Sequence, residues 1–213
     1  MQRLRSHFSG KIRQQRRQAR NQIANHQNVP QWQRNPRYFA GFRRCTSHRF
    51  NGFKKTKNLL VNVNPKYKNS EKRLKIRLQM DEMWGRVYCK GTPCWLWHAI
   101  DHETGEIVAF VMGSREHEML WELMCELATA NIEIVAVYAD NNPAYRDTIS
   151  RIFPGILETG KANTQKIERK HLTFRTRLKR LARKTICYSK ELEMHKIMVG
   201  LLINVLGFGL QLF

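Results

Sequence analysis

The run Ile132–Asp140, with the sequence IEIVAVYAD, decides the fold of this chain. A short and nearly continuous apolar run is typical of a strand that is covered on both faces. Asp140 follows that run directly, at the carboxyl end of the expected strand. We therefore predict a central strand in a helix-covered sheet, with a carboxylate where the strand ends.

Three further strands are predicted before this run, at Leu78–Tyr88, Cys94–Asp101 and Glu106–Met112. Gly105 lies between the last two and supplies the positive φ that a tight hairpin requires. Ser114 is the expected N-cap of a following helix, because apolar residues recur at helical spacing as far as residue 127. The first half of the domain is thus predicted to be a hairpin meander and a helix.

The second half is predicted to contain mainly helices. Pro143 opens a helix through Ile152, Ile156–Thr159 forms a weak strand, and a long basic helix extends from about residue 163 to Arg183. A last helix begins near Ser189 and enters an uncharged tail, which is too short for a typical membrane span. This order predicts an α/β fold with a ribonuclease-H-like mixed sheet flanked by helices, in which the first and fourth strands are neighbours.

Three acidic residues fall where such a fold could use them, namely Asp81, Asp140 and Glu168. Two carboxylates at strand ends and one on a later helix can converge on a pair of divalent ions that cut or join a nucleic-acid backbone. Carboxylates are hard ligands that Mg²⁺ prefers, so two Mg²⁺ ions are expected, with Mn²⁺ as the alternative. Glu82 could replace Asp81 as a ligand, but strand alternation directs it to the opposite face.

Charge is distributed very unevenly along the chain. Residues 1–77 hold 21 Lys and Arg with one acid, Glu71, whereas residues 78–213 hold 17 Lys and Arg with 16 acids. Such a basic block favours disorder and polyanionic partners. We therefore divide the chain into a basic, poorly structured or divergent extension at residues 1–77 and a catalytic domain at residues 78–213.

The long basic helix and the segment after it are the expected DNA-binding surface, because phosphate contacts hold a nucleic-acid backbone in place. Arg175 lies seven residues after Glu168 and so returns to the same helix face. The residues assigned to this surface are Lys166, Arg169, Lys170, Arg175, Arg177, Lys179, Arg180, Arg183 and Lys184.

The segments Asp81–Trp84, Tyr138–Tyr145, Thr164–Arg169 and Arg175–Thr185 resemble the DDE transposases of the insertion sequence one family. The resemblance extends over about residues 78–203 and includes the order and spacing of these motifs. It implies that the three metal-binding catalytic acids are Asp81, Asp140 and Glu168. It also implies DNA cleavage and strand transfer on the ends of an insertion element and on target DNA.

The chain departs from the family pattern at two positions. Asn141 stands where Gly usually follows the second acid, and His171 stands where Asn usually lies three residues after Glu168. Asn tolerates a left-handed turn, so the first change is mild. The second change affects an expected DNA contact rather than the metal site.

Other interpretations stay open at the level of the sequence. The main alternative to an active transposase is a non-catalytic DNA-binding remnant that inhibits transposition, and a nuclease or integrase with the same chemistry is a third. Five scattered cysteines without a C-x-x-C pair indicate reduced thiols. We expect a homo-oligomer in the bacterial cytoplasm, associated with the nucleoid and not with a membrane.

Overall fold

A computed structural model describes residues 59–160 and 163–210, without the side chains of residues 89–92. Predictions that concern residues 1–58, including most of the basic extension, lie outside the described residues. The description below concerns the body formed by the described part of the chain.

Five strands form one mixed sheet in the order β3-β2-β1-β4-β5. β1 is antiparallel to β2, which is antiparallel to β3, whereas β4 is parallel to both β1 and β5. This is the ribonuclease-H-like plan predicted from the sequence, with the first and fourth strands side by side. The strands are Leu74–Val87 (β1), Cys89–Asp101 (β2), Ile107–Gly113 (β3), Ile132–Ala139 (β4) and Leu157–Thr159 (β5).

Helices lie on both faces of this sheet. Asn142 caps the N-terminus of α3 by accepting a bond from the backbone of Ala144, and proline occupies the first turn. The helices are Pro65–Lys68 (α1), His117–Leu127 (α2), Pro143–Ile152 (α3), Gln165–Arg177 (α4) and Leu192–Leu202 (α5), with a 3-10 turn at Lys179–Leu181 and a π-helix at Ile203–Gly207.

Two apolar clusters hold the helices on the sheet, one on each face. The first core contains Trp97 and Met80 of the sheet with Leu120 of α2 and Tyr145 of α3. The second core contains Met83 and Phe110 of the sheet with Ile167 and Phe174 of α4 and Val199 of α5. Because strand side chains alternate between faces, neighbouring residues of β1 serve different cores.

The folded body extends further towards the N-terminus than the predicted boundary between residues 77 and 78. β1 begins at Leu74, and Val63 and Tyr67 are buried in the first core. The backbone of Asn64 donates to Val108, and Val63 forms an isolated bridge with Ala109 on β3. The sparse apolar residues of this basic stretch are therefore part of the domain.

The predicted long basic helix is shorter than expected. α4 ends at Arg177, because Leu178 is extended (φ −121°, ψ 102°) and the chain turns so that Leu181 enters the second core. Ser114 is likewise not the cap of α2, since Glu116 occupies that position. The end of α4 is thus set by tertiary packing rather than by helical periodicity.

The apolar C-terminal segment packs as a helix, as the sequence indicated. Ile197 and Val199 of α5 are buried, and the amide of Asn204 bonds the backbone of Val61 in both directions, at 2.9 and 3.0 Å. Within the described residues, every helix is too short or too polar to cross a membrane.

Candidate metal centre

The acidic residues meet at the edge where β1 and β4 separate. The last aligned residues of these strands are Gln79 and Tyr138, so Asp81 and Asp140 both lie just beyond the hydrogen-bonded pairing. One carboxylate oxygen from each of Asp81, Glu82 and Asp140 lies within 4.8 Å of the others. The parallel neighbours thus bring the two strand-end carboxylates together, as the predicted strand order required.

Asp81 is largely enclosed and receives little support from hydrogen bonds. Its side chain is 21% exposed, its Oδ1 accepts the backbone N–H of Glu82 at 2.8 Å, and its Oδ2 lies 3.6 Å from Nδ1 of His171. Burial, together with the negative charges of Glu82, Asp140 and Glu168, raises the pKa of Asp81 to about 7, although the bond from the Glu82 N–H acts in the opposite direction. The surroundings therefore disfavour a bare negative charge here.

Asp140 has a similar but more open environment. Its Oδ1 accepts the backbone N–H of Asn142 at 3.0 Å, which fixes the turn between β4 and α3. Burial raises the pKa of Asp140, and the charge of Glu82 adds to that effect. The Asn142 N–H and the guanidinium of Arg115 act in the opposite direction.

Glu82, by contrast, is surrounded by donors. Its side chain is 3% exposed, and its Oε1 accepts from Nε and Nη2 of Arg115 at 3.1 and 2.8 Å and from Nδ2 of Asn142 at 3.1 Å. Its Oε2 accepts from the hydroxyl of Tyr145 at 3.0 Å. These partners lie on the face of the sheet that carries the first core, as the alternation of strand side chains predicted for Glu82. One carboxylate oxygen of Glu82 nevertheless lies within 4.8 Å of oxygens of Asp81 and Asp140.

Glu168 lies in the first turn of α4 and is exposed. It is not part of the compact group of three acids, although its charge contributes to the raised pKa of Asp81. Buried Gln79 accepts the backbone N–H of Ile167 at 3.0 Å. This bond connects the start of α4 to β1 two residues before Asp81. Because Gln79 and Asp81 share one face of β1, α4 and Glu168 lie on that same face of the sheet.

The predicted DNA-binding residues differ in their surroundings. Nζ of Lys166 donates to the carbonyl oxygens of His102 and Glu103 at 2.6 and 2.8 Å, and Arg180 donates to Ser189 at 3.3 Å. Arg175 is partly buried. Burial and the charge of Arg183 lower the pKa of its guanidinium, whereas the charge of Asp81 raises that pKa. The other members, Arg169, Lys170, Arg177, Lys179, Arg183 and Lys184, are exposed or partly exposed.

Two histidines behind Asp81 were assigned no role in the site from the sequence. His98 is directly opposite Asp81 on β2 and fully buried, and its ring lies 4.9 Å from that of His171 between centroids. Burial lowers the pKa of both rings, to about 4 for His171, so both are neutral at pH 7. The i, i+2 alternation of β1 and β2 is the signal that could have placed His98 beside Asp81.

The donor set fits a divalent cation with hard-ligand preference. Asp81, Glu82 and Asp140 each offer a carboxylate oxygen to the group, and the charge of Glu168 acts on Asp81. The raised pKa values of both aspartates show that the folded chain holds negative charge there at a cost that a cation would offset. The sheet order and this edge define a ribonuclease-H-like domain with a candidate metal centre.

Comparison with known protein sequences shows the family of the chain. A family model described as IS1 transposase matches residues 75–209. The chain is 39% identical to the insertion element iso-IS1n protein InsB of Shigella dysenteriae over 126 residues, which cover 59% of this chain and 92% of that protein. It is 35% identical to the insertion element IS1 9 protein InsB of Escherichia coli (strain K12) over 127 residues, which cover 60% and 73%. The chain belongs to the IS1 transposase family, as its motifs indicated.

Among solved structures, the catalytic core domain of BIV integrase matches at a TM-score of 0.37 and 14% identity, covering 60% of this chain and 81% of that chain. The catalytic core domain of HTLV-2 integrase in complex with magnesium matches at a TM-score of 0.41 and 12% identity, covering 62% and 85%.

Proposed function

We propose that this chain is a transposase that cleaves DNA strands at the ends of an insertion element and joins them to target DNA. The observation that carries the proposal is the meeting of Asp81 and Asp140 at the β1–β4 edge, with both pKa values raised. Family membership supports the same reaction class. The bacterial nucleoid is the expected place of action.

In this proposal, Asp81 and Asp140 hold a divalent cation from the sheet, and Glu168 completes the set from α4. When bound, Mg²⁺ or Mn²⁺ ions would polarise the scissile phosphate and lower the pKa of the attacking water or 3′-hydroxyl. Glu82 is not needed as a ligand, because its two oxygens already accept bonds from Arg115, Asn142 and Tyr145.

The remaining residues bind and orient the DNA. Arg175 lies on the same helix as Glu168 and close enough to Asp81 for their charges to interact, so its guanidinium is suited to a phosphate beside the metal site. The exposed cations that follow α4 would neutralise neighbouring phosphates. Simultaneous use of two DNA ends would require a homo-oligomer.

Cleavage of labelled DNA that carries the terminal repeats of the element encoding the chain tests this proposal. We expect nicking at the repeat ends with Mg²⁺ or Mn²⁺ and no nicking with EDTA. Strand transfer to a target plasmid would distinguish a transposase from a nuclease. Tight binding without cleavage under any of these cations would contradict the proposed activity and favour a DNA-binding inhibitor.

A further inference from the structure

We propose that Arg115 binds a backbone phosphate of the DNA, in the open cleft beside Asp140. This assignment rests on the proposed DNA-cleaving function, because it adds a second phosphate contact to the same site. Arg115 comes directly before the N-cap of α2 and contacts Glu82 on the first-core side of the sheet. The contact would therefore lie across the sheet from the basic residues of α4.

The location of Arg115 suits a large anionic ligand. Its side chain is 54% exposed and lines an open cleft of about 720 Å³ together with Asp140. A cleft of this volume is large enough for a nucleotide. The other residues lining the cleft are His117, Asn141, Asn142, Pro143, Ala144 and Gly160.

The guanidinium is held in place before any ligand arrives. Its Nε and Nη2 both donate to Oε1 of buried Glu82, and its central carbon lies 4.6 Å from the centre of the Trp95 ring. A cation fixed by an ion pair and an aromatic face loses less side-chain entropy when it binds a ligand. Arg115 is therefore better prepared for binding than a long, unsupported surface cation.

Arg115 keeps donors for a second anion. A guanidinium has five N–H groups in a planar fork. The bonds to Glu82 use the Nε hydrogen and one Nη2 hydrogen, so they leave the second Nη2 hydrogen and both Nη1 hydrogens for another acceptor. The same fork geometry matches phosphate oxygens. Lysine could not serve both anions in this way, because its ammonium is a compact point charge.

The electrostatics of the cleft require a cation at this position. A phosphate approaching Asp140 meets a carboxylate cluster, and Arg115 is the group whose charge lowers the pKa of Asp140. Because Arg115 and the cations of α4 lie on opposite faces of the sheet, the DNA backbone would be held on both sides of the acids. Phosphate contacts of this kind fix the register of the DNA rather than read its sequence.

A second role must be separated in the test, since Arg115 also neutralises Glu82. Arg115→Gln removes both the proposed phosphate contact and the neutralisation of Glu82. Glu82→Gln removes only the negative charge that Arg115 neutralises. The double variant Arg115→Gln/Glu82→Gln removes the phosphate contact without leaving a bare buried carboxylate. Arg151→Gln is the matched control, because Arg151 is an exposed arginine at the far end of α3.

The experiment measures binding of a fluorescein-labelled duplex of about 30 base pairs, taken from the element's end, in Ca²⁺ over a series of KCl concentrations. Arg115→Gln should weaken binding about three- to tenfold and lower the slope of log Kd against log salt by about one. The double variant should show the same loss, while Glu82→Gln and Arg151→Gln keep the wild-type slope. Melting temperatures would confirm that each variant is folded.

Two results would overturn the assignment. Recovery of wild-type affinity in the double variant would mean that Arg115 acts only by neutralising Glu82. An unchanged slope in Arg115→Gln would mean that no phosphate is bound there. If the wild-type chain itself failed to bind the duplex, the proposed function would fail together with this inference. That outcome is distinct from the first two, in which the wild-type chain binds and only the variants decide.

Discussion

Asp81 and Glu82 are adjacent in the sequence but have opposite surroundings. Glu82 accepts four hydrogen bonds from three side chains, whereas Asp81 accepts the backbone N–H of Glu82 and has the imidazole of His171 at 3.6 Å. A buried carboxylate whose bonds are satisfied stabilises the fold, and one whose bonds are not satisfied is suited to a ligand. We propose that this difference separates a structural acid, Glu82, from a functional acid, Asp81, within one dipeptide.

The largest expected effect is on DNA cleavage. Asp81→Asn and Asp140→Asn should each lower the rate of strand cleavage by about 10³-fold or more, because a neutral amide is a poor ligand for a hard cation. DNA binding in EDTA should stay within about twofold of wild type. A nicking assay and a binding assay on the same DNA measure both quantities, and efficient cutting by Asp140→Asn would refute the assignment.

The second effect is a loss of stability, which should appear at Glu82 and not at Asp81. Glu82→Ala should lower the free energy of unfolding by about 2 kcal/mol, because it leaves Arg115, Asn142 and Tyr145 without their common acceptor. Urea unfolding followed by tryptophan fluorescence gives this value. Ser150→Ala, at an exposed position of α3, is a suitable control and should stay within about 0.5 kcal/mol.

The third effect has the opposite sign at Asp81. Because the folded-state pKa is about 7 and the unfolded value is near 3.8, the folded chain binds more protons between these values, so stability falls as the pH rises through that window. Asp81→Asn should therefore stabilise the metal-free protein by about 1–2 kcal/mol at pH 8 and by much less at pH 4. Unfolding curves at both pH values would show this, and destabilisation at pH 8 would contradict it.

The smallest effect extends the comparison to the cations of α4. Lys166 is engaged with two backbone carbonyls, whereas Arg169 on the next turn is exposed. Arg169→Gln should lower the salt slope of DNA binding by about one, and Lys166→Gln should lower it less. A larger change for Lys166→Gln would show that its carbonyl contacts do not persist when DNA is bound.

The sequence predicted the sheet well because the relevant signals are local. β4 has the bounds that its apolar run indicated, and α3 begins at Pro143 and ends at Ile152 as predicted. The meeting of Asp81 with Asp140 follows from strand order. What was missed depends on distant contacts. Arg115, Asn142 and Tyr145 lie 33, 60 and 63 residues from Glu82, so no local pattern could reveal that it is held by them.

The limits of the domain were missed for a related reason. Val63 and Tyr67 are isolated apolar residues in a basic stretch, and only their contacts with the first core show that they belong to the fold. The end of α4 is set by Leu181 entering the second core, which overrides a sequence that favours a longer helix. The histidines beside Asp81, His98 opposite it in the sheet and His171 at 3.6 Å, likewise come from another strand and from a helix.

The most direct test compares the cleavage rates of Glu168→Gln and Glu82→Gln on labelled terminal-repeat DNA with Mn²⁺. If Asp81, Asp140 and Glu168 hold the cation, Glu168→Gln should lose about 10³-fold or more in rate, while Glu82→Gln stays within about tenfold of wild type. The reverse pattern would show that the compact group of Asp81, Glu82 and Asp140 is the metal site, and would contradict the distinction between the two acids of the dipeptide.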